Sequence, residues 1–439
     1  MNKDELKKQV IKTIDENRDK IIEMGKKIYS NPEFGYKEFK TTNTVVEFMK
    51  NELNLDVEEN IAVTGCRAEI NSNKTGPKIA ILGELDAIFC KDHKDANEIG
   101  AIHACGHNIQ IAGMLGAAVG LVKSGVADKL DGKIEFMATP AEELIELEYR
   151  DNLRKDKKIK FFGGKQELIY RGYFDDVDIS MMFHSLYMGE DKALVGTESN
   201  GFIAKKINFI GKEAHAGSAP HEGTNALNAA MLAINNVHAQ RETFKESEKV
   251  RFHPIITKGG DIVNSVPADV RMESYVRART IEGLLDANAK INRSLMAGAF
   301  AVGAKIEITE TPGYLPILRY RELDNFFKDN LVAIGIAEDK IINGGDFTGS
   351  FDFGDVSQLM PTLHPMIGGI KGSLHSREYE IIDEDLAYIT PAKAMALTVI
   401  DLLYDNAKNA NEILDNFTPR MTKEEYLKLM DSNDKIIKA

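Results

Sequence analysis

The stretch His103-Ala104-Cys105-Gly106-His107-Asn108 places one thiol and two imidazoles side by side in a chain with only three cysteines and ten histidines. A structural zinc site is usually coordinated by four protein ligands, and this stretch does not supply four. A catalytic metal needs fewer, because one position stays open for water. The alternative is a buried cysteine beside two ordinary histidines. On this stretch alone both interpretations stand, and a metal site needs further ligands from elsewhere in the chain.

Length and composition limit the class of protein. A chain of 439 residues exceeds what one hydrophobic core usually serves, so two domains are expected. The hydrophobic fraction of 43% is enough for sizeable cores. The net charge of -13 argues against a nucleic-acid partner, because neutralising phosphates requires concentrated lysine and arginine.

Signals for secretion, membrane insertion and disulfide formation are not evident in the sequence. The charged N-terminus has a helical pattern without an apolar core of signal-peptide length, and nowhere do about eighteen apolar residues run together. The cysteines, Cys66, Cys90 and Cys105, are odd in number and show no disulfide pattern. Reduced thiols are typical of the cytoplasm. We therefore expect a soluble cytoplasmic protein without a membrane partner.

Polar residues recur at the ends of apolar strands. A helix of small residues is predicted at 109–124, and strands are predicted at 61–70, 78–82, 133–138 and 177–183. The residues that follow the last three of these strands are Glu84, Asp86, Glu142, Glu143 and His184. Open α/β sheets bind their ligands at the carboxyl ends of strands. The pattern therefore predicts a site at one edge of the sheet.

The middle of the chain changes character. Helices at 225–240 and 280–300, with strands at 250–257, 270–279 and 304–309, predict a compact α+β unit with an antiparallel sheet. The predicted fold class is α/β, with a catalytic domain whose mostly parallel central sheet is flanked by helices. A smaller α+β inserted domain interrupts it. The predicted boundaries are 1–192 and 313–439 for the catalytic domain and 193–312 for the inserted domain.

Five side chains form a candidate metal-ligand set. Thiolates and neutral imidazoles are good ligands for zinc and similar divalent ions. Adjacent glutamates usually mark a solvated helix face, but Glu142-Glu143 follows a strand and a proline, where a turn can direct one carboxylate at metal and leave the other for water. A single histidine at the end of a strand, such as His184, is more often packed in the core than bound to metal. His375 taken alone does not indicate a function. The five candidate ligands are Cys105, His107, Glu143, His184 and His375. Five ligands are enough to bind two metals that share a bridging group.

Several short motifs recur along the chain in a specific order and spacing, although each is weak alone. They are the segments 31–35, 83–87, 103–108, 140–143, 211–216, 223–227, 264–267 and 349–357. In these segments the chain resembles the aminoacylase and carboxypeptidase-G superfamily of dinuclear metallohydrolases. The nearest branch holds auxin-conjugate hydrolases, hippurate hydrolases and p-aminobenzoyl-glutamate hydrolase.

This resemblance implies roles for the catalytic domain. Cys105 would bridge the two metals, in place of an aspartate used by other branches, and the other four candidate ligands would complete the shell. Glu142 would be the general base that deprotonates the metal-bound water and later protonates the leaving amine. Asp86 would orient a ligand histidine. Glu84 stands where other branches carry a metal-binding histidine, so no ligand role is assigned to it.

The resemblance also makes the inserted domain a lid and dimerisation domain. His215 would stabilise the tetrahedral oxyanion, and its alternative is a surface loop histidine. Asn225 and Asn264 would hydrogen-bond substrate or order the lid. Arg277 would clamp a substrate carboxylate, since a guanidinium suits that bidentate contact. Its alternative is a charge on an edge strand.

The expected function is metal-dependent hydrolysis of the amide bond of an N-acyl amino acid or a similar amino-acid conjugate. The alternatives are a dipeptidase or carboxypeptidase with the same dinuclear site and, from another class, a non-catalytic binding protein of the same fold. The expected cofactors are two divalent ions, zinc or manganese first and then cobalt or nickel. The resemblance also implies a homodimer through the lid domain.

Three departures from the family pattern bear on substrate choice. A long, mostly charged segment, Leu144 to Lys165, replaces a short glycine-rich link. Ser185-Leu186 stands in place of Pro-Gly, and Ser350-Phe351-Asp352 in place of Ser-Thr-Asp. None of them removes a candidate ligand, but we expect them to reshape the pocket.

Overall fold

The structure is a computed structural model, and it describes residues 1–71 and 75–439. Two compact units divide the chain. The first unit comprises Met1–Glu198, Leu318–Asp346 and Val356–Arg420, and the second comprises Ser199–Ile317, Phe347–Asp355 and Met421–Ala439. The sequence-based boundaries kept all of 313–439 in the catalytic domain, whereas in the structure three pieces of that range, 313–317, 347–355 and 421–439, cluster with the second unit.

Helices and strands are numbered in chain order. The helices are α1 (Lys3–Glu16), α2 (Arg18–Tyr29), α3 (Phe39–Leu53), α4 (His107–Lys123), α5 (Leu147–Lys155), α6 (Gly164–Arg171), α7 (Ala226–Ala239), α8 (Ile281–Ala301), α9 (Arg321–Ala333), α10 (Phe353–Ser357), α11 (Thr390–Asn416) and α12 (Lys423–Ser432). The strands are β1 (Val57–Ile61), β2 (Gly65–Asn71), β3 (Lys78–Glu84), β4 (Ile88–Phe89), β5 (Ala101–Ile102), β6 (Lys133–Thr139), β7 (Ile179–Met181), β8 (His184–Ser185), β9 (Ala193–Ser199), β10 (Gly201–Ile210), β11 (Arg251–Lys258), β12 (Asp269–Ala278), β13 (Lys305–Pro312), β14 (Ile341–Phe347), β15 (Thr362–Leu363), β16 (Met366–Ile367), β17 (Ile370–Lys371), β18 (Glu380–Ile381) and β19 (Lys435–Lys438).

The main sheet of the first unit has the strand order β1-β2-β6-β3-β7-β15 within the described residues. Strands β6, β3, β7 and β15 run parallel, while β1 and β2 pair antiparallel at one edge. Strand β3 is buried along its whole length, as a central parallel strand between helix layers must be. Glu84 and Thr139 are register partners at the carboxyl ends of β3 and β6, so the residues that follow them share one edge of the sheet. The predicted mostly parallel α/β domain is confirmed.

Helix α4 is the central helix of this unit. Every residue from its start to Leu121 is buried, which the run of small and aliphatic residues permits. A side chain at Gly116 would place its Cβ 2.7 Å from the Cβ of Ala392 on α11, so the two helices approach closely because this residue is glycine. The candidate metal residues at the N-terminus of α4 thus stand on a rigid element.

Helix α11 with the turn before it, Asp385–Asn416, is long and apolar enough to cross a membrane by length and composition. Within its most apolar window, 89% is buried inside the unit. Its side chains belong to the same hydrophobic core as those of α4 and α9. Helical geometry breaks at Tyr404 to Ala407, where three residues have positive φ. Core packing therefore accounts for the apolar character of this helix.

The second unit is an α+β sandwich, as predicted. Its antiparallel sheet has the strand order β11-β12-β10-β13-β19, and α7 and α8 cover its buried face. Burial largely alternates along β12, as a strand with one core face requires. The terminal strand β19, which was not among the predicted elements, pairs with β13 and closes one edge of the sheet. Beneath the sheet, the buried Lys205 and Glu310 form an ion pair.

Candidate metal centre

Cys105 lies at the centre of a cluster of possible metal ligands in the first unit. Its Sγ is 3.4 Å from Nε2 of His184 and 3.2 Å from Nε2 of His375. Two groups of three donor atoms, each group within 4.8 Å, share this sulfur: one adds His107 and His184, and the other adds Glu143 and His375. The structure therefore brings all five candidate ligands together.

Backbone geometry places the thiol at the start of α4. The next residue, Gly106, has φ 86°, and a Cβ there would lie 2.1 Å from Oγ of Ser185. Only glycine fits this turn without displacing its neighbour. His375 also has a left-handed φ of 60°, and its backbone N–H donates to the carbonyl of Ala104 at 2.9 Å. That bond holds the imidazole of His375 beside the thiol.

Asp86 contacts two members of the cluster. Its Oδ1 is 3.1 Å and its backbone carbonyl 2.8 Å from Nδ1 of His107, so this ring nitrogen carries the proton and Nε2 faces the cluster. Its Oδ2 accepts the backbone N–H of Glu143 at 2.9 Å. This is the geometry expected of a residue that orients metal ligands.

The adjacent glutamates after β6 face different groups. Oε1 of Glu143 is 2.9 Å from Nε2 of His375, in the group that contains Cys105. Oε2 of Glu142 is 3.8 Å from Nε2 of His107. Both carboxylates are buried, at 5% exposure for Glu142 and 8% for Glu143. One turn therefore delivers a carboxylate to each side of the cluster, as the sequence suggested.

Glu84 is a member of the cluster that sequence reasoning left without a role. Its Oε2 lies 3.0 Å from Nε2 of His107, and with His107 and Glu142 it forms a third group of donor atoms within 4.8 Å. Its Oε1 accepts from Nζ of Lys165 at 2.5 Å, and both side chains are fully buried. Burial raises the pKa of Glu84, but the charges of Lys165 and His107 hold that pKa well below its usual range. The sequence signal for this role was the spacing of Glu84 and Asp86 at the end of β3. Residues two apart in an extended segment point to the same face, so both carboxylates could have been assigned to one site.

Electrostatics favour the thiolate form of Cys105. Burial, the largest influence, raises its pKa, and the charge of Glu143 does the same, but the imidazoles of His184, His375 and His107 lower the pKa to about 6. Thiolate is the form that binds metal. The remaining histidine of the hexapeptide, His103, is fully buried, and its ring has no hydrogen-bond partner among the described residues. It is therefore a neutral core side chain.

The chemistry of this donor set fits divalent cations. It combines one thiolate, imidazoles and carboxylates, the ligands that zinc and similar ions prefer. Two buried donor atoms, Nε2 of His107 and Oε1 of Glu143, make no hydrogen bond within the described chain although they face other ligand atoms. Because both atoms also belong to groups of possible metal ligands, a cation bound in those groups would satisfy them. The two groups that share Cys105 would give two adjacent sites with one bridging ligand.

In the second unit, His215 lies on an exposed loop between β10 and α7. Its Nδ1 accepts the backbone N–H groups of Gly217 at 3.2 Å and Ser218 at 3.1 Å. In the neutral ring the proton is therefore on Nε2, which makes that atom a donor. The backbone carbonyl of Asn264 accepts the N–H of Ala216 at 2.9 Å and helps to hold this loop.

Asn225 caps a helix. Its Oδ1 accepts the N–H groups of Leu227 and Asn228 at 2.9 and 3.0 Å, at the N-terminus of α7. The carbonyl oxygen of this side chain thus has a structural role, and only its amide nitrogen is left for the predicted contact with substrate.

Arg277 lies on β12, which is hydrogen-bonded on both sides by β10 and β11. The alternative interpretation, a charge on an edge strand, is therefore wrong. The guanidinium packs over the rings of Phe202 and Tyr275 and donates to Oγ of Ser350 at 2.7 Å. Burial lowers the pKa of Arg277, and no carboxylate pairs with it within the residues that the structure describes. A half-buried guanidinium in this state has the donors that an anion such as a carboxylate requires.

A mostly parallel sheet with a thiolate, imidazoles and carboxylates at its carboxyl edge defines a class, the metal-dependent hydrolases. Residues 197–299 match the family described as peptidase dimerisation domain. Xaa-Arg dipeptidase of Mus musculus is 29% identical, with 92% of this chain and 90% of the dipeptidase covered. N-acyl-L-amino acid amidohydrolase of Geobacillus stearothermophilus is 25% identical, with 72% of this chain and 83% of that protein covered.

Solved structures share the fold. A dinuclear metal-binding peptidase of the M20 family from Bacillus subtilis has a TM-score of 0.66 at 20% identity, with 88% of this chain and 98% of that chain covered. The resemblance expected from the sequence is confirmed. The chain is similar along most of its length to hydrolases of amide bonds, matches a peptidase dimerisation domain over residues 197–299, and is itself a hydrolase of amide bonds.

Proposed function

We propose that this enzyme hydrolyses the amide bond of an N-acyl amino acid or a similar amino-acid conjugate. The observation that carries the proposal is the shared use of Cys105 Sγ by two groups of metal ligands, with the Glu142 carboxylate beside them. A dinuclear site next to a buried carboxylate supports hydrolysis by water without a covalent enzyme intermediate.

The ligands would be Cys105, His107, Glu143, His184 and His375, with Cys105 as the bridge. Two divalent ions held there, zinc or manganese first and cobalt or nickel next, would act as Lewis acids and lower the pKa of a water molecule. Asp86 would keep Nδ1 of His107 protonated, so that Nε2 serves as the ligand atom.

Glu142 moves the proton. Its carboxylate takes a proton from the attacking water and returns it to the nitrogen of the departing amino acid. The side chain suits this task, because it is buried and lies 3.8 Å from His107 at the edge of the cluster. A buried carboxylate beside cations can exchange a proton without passing it to bulk solvent.

Two residues of the second unit act on the substrate. His215 donates from Nε2 to the oxyanion that develops on the scissile carbonyl, a role for which its tautomer is already set. Arg277 binds the free carboxylate of the amino acid, because it offers donors to an anion and has no paired carboxylate within the described chain. Asn225 and Asn264 order the lid around these residues.

A dipeptidase is the second candidate, and the similarity to Xaa-Arg dipeptidase of Mus musculus over most of both chains favours it. Both candidates release an amino acid with a free carboxylate and differ in the group on the other side of the amide bond. An acyl group is neutral, whereas the first residue of a dipeptide carries an ammonium group.

A matched substrate panel tests the proposal. Each N-acetyl amino acid is compared with the alanyl dipeptide of the same C-terminal residue, and each pair is repeated with the C-terminus amidated. We expect turnover of free-acid substrates and a large loss on amidation, because Arg277 binds the carboxylate. Turnover of dipeptides alone would leave only the dipeptidase, and equal turnover of amidated substrates would contradict carboxylate recognition.

We also propose that the enzyme is a cytoplasmic homodimer joined through the second unit. Support comes from the match of residues 197–299 to a peptidase dimerisation domain. Light scattering coupled to size exclusion should give twice the mass of the 48.7 kDa chain. A monomer at micromolar concentration would contradict the proposal.

A further inference from the structure

The segment Leu144 to Lys165, which stands where the resembled family has a short link, packs against the turn that carries Glu142 and Glu143. It contains α5, whose Arg150 is fully buried. We propose that Arg150 is a positioning residue that fixes the backbone of the Ala141 to Glu143 turn. The proposal rests on the proposed function, because that turn carries the general base and one metal ligand.

The guanidinium of Arg150 is shared among backbone carbonyls. It donates to the carbonyl of Glu143, to that of Phe162 at 2.7 Å and to that of Ala141 at 3.4 Å. Each of these bonds is charge-assisted and buried, so each is stronger than an ordinary backbone hydrogen bond. A planar fork is needed to reach several carbonyls at once, and lysine cannot reproduce it.

The same turn is held from its other side by buried carboxylates. Glu38 accepts the N–H of Ala141 at 2.8 Å, and Asp86 accepts the N–H of Glu143 at 2.9 Å. The peptide groups around Glu142 are therefore held between carboxyl groups that accept from their N–H groups and a guanidinium that donates to their carbonyls. Ala141 has φ 53°, a left-handed conformation that a non-glycine residue adopts only when its surroundings enforce it.

Gly35 makes room for this arrangement. A Cβ at Gly35 would lie 2.5 Å from Nη2 of Arg150 and 2.9 Å from Cα of Ala141. The second atom is backbone, so it cannot move aside cheaply. The guanidinium also lies over the ring of Tyr36, at 5.5 Å from the ring centre. The Asn31 to Gly35 motif thus gains a physical reason, because its glycine admits both the turn and the arginine.

Arg150 touches neither candidate ligand atoms nor the carboxylate of Glu142 in the contacts above, so it acts through the backbone. Loosening the turn would misplace the Glu143 ligand and the Glu142 base together. We therefore expect losses in metal affinity and in kcat, with KM nearly unchanged.

The experiment compares Arg150→Met, Arg150→Lys and Gly35→Ala with Leu153→Ala. Leu153 is buried on the same helix as Arg150 and belongs to the apolar cluster that contains Ala141 and Phe162. Its truncation therefore weakens packing at the turn without removing a hydrogen bond to a backbone carbonyl. Binding of Co²⁺ to the metal-free protein is followed by its absorption spectrum, and kcat and KM are then measured on the loaded enzyme. We expect Arg150→Met to weaken Co²⁺ binding about 10- to 100-fold and to lower kcat by a similar factor. Arg150→Lys should be intermediate, and Gly35→Ala should resemble Arg150→Met.

Leu153→Ala should lower the melting temperature yet keep Co²⁺ affinity within about 2-fold. If folded Arg150→Met binds Co²⁺ like the parent, or if Leu153→Ala weakens binding equally, the positioning role is refuted. If Arg150→Met does not fold, Arg150→Lys and Gly35→Ala decide by the same criterion. A wild-type protein that hydrolyses no amide would refute the proposed function, whereas the Co²⁺ titration would still decide the role of Arg150.

Discussion

The residues proposed for catalysis in the two units differ in how far their charges are already satisfied. In the first unit Cys105, His107 and Glu143 are buried, and each lies within 4 Å of another ionisable group of the cluster. In the second unit His215 is exposed, and Arg277 has no carboxylate partner within the described residues. The first set is complete apart from cations, whereas Arg277 of the second set has only uncharged hydrogen-bond partners, Ser350 and His253, within the described residues.

That difference teaches what each region is built to bind. Buried charges are stable only when opposite charges balance them, so the first unit assembles anions and imidazoles around a place for metal. A guanidinium without a paired carboxylate can bind an anion that arrives from solution. Under the proposed function, the first unit would hold the metals and water, and the second would bind the substrate.

Each unit also contains a lysine–glutamate pair whose two side chains are fully buried. Lys165 pairs with Glu84 beside the metal ligands, and Lys205 pairs with Glu310 beneath the antiparallel sheet. Asn288 and Asn292 donate further hydrogen bonds to Glu310. The chemistry of the two pairs is alike, and only their surroundings differ, so they make a matched comparison.

The largest effect is expected from Glu142→Gln. Loss of the general base should lower kcat by about 100- to 10,000-fold, because glutamine cannot accept the proton of water. Metal content, measured by elemental analysis, should stay at the parent level. A variant as active as the parent would remove Glu142 from the mechanism.

Next come Lys165→Met and Lys205→Met, which separate the two buried pairs. Each removes the buried ammonium group from a buried carboxylate and should lower the free energy of unfolding by about 3–5 kcal/mol. For Lys205→Met the loss should lie at the lower end, because Nζ of Lys435 remains 3.4 Å from Oε2 of Glu310. Added Zn²⁺ should restore more stability to Lys165→Met than it gives the parent, because a cation bound beside Glu84 replaces the lost charge. For Lys205→Met the gain from Zn²⁺ should equal that of the parent. If Zn²⁺ stabilised both variants equally, the bound metal would not interact with the charge of Glu84.

A smaller effect concerns Glu38, which holds the N–H of Ala141. Burial, followed by the charge of Asp86, raises the pKa of Glu38 from 4.5 to about 7. A raised pKa in the folded state gives stability that is complete below pH 4.5 and is lost as pH rises through 7. Over that window the parent should lose about 3 kcal/mol relative to Glu38→Gln.

This pH dependence is measured by denaturant unfolding in the presence of a chelator, so that metal release does not contribute. The matched control is Glu23→Gln, an exposed position on α2, for which a flat difference is expected. A flat difference for Glu38→Gln as well would show that Glu38 is ionised throughout.

The smallest effect is expected from Arg277→Met. Loss of a charged hydrogen-bonding partner for the substrate carboxylate should raise KM about 10- to 100-fold, with kcat nearly constant. The control is Arg271→Met on the same strand, where the side chain is exposed and pairs with Asp269. Should kcat fall instead while KM holds, Arg277 would act in the transition state rather than in binding.

Much of the metal centre followed from local sequence patterns. Buried strands leave runs of apolar residues, and the groups after them must meet at one sheet edge, which is how Glu143 and His184 joined Cys105. The fold class of the second unit could also be predicted, because the apolar residues of its strands and helices recur with a clear period.

The missed contacts are long-range and ionic. Lys165 reaches Glu84 across 81 positions, and Arg150 reaches carbonyls that carry no side-chain signal. Charged residues within a mostly charged segment are normally predicted to lie on a solvated surface. Only the tertiary fold shows that Arg150 and Lys165 are buried. The pairing of β19 with β13 was missed for the same reason, since its partner lies more than a hundred positions away.

The metal content of Cys105→Ala is the most direct test of the central claim, that one thiolate joins two metal sites. Elemental analysis after dialysis against Zn²⁺ should give two equivalents for the parent and at most one for the variant, with hydrolysis lost. Two equivalents with full activity in Cys105→Ala would contradict the account.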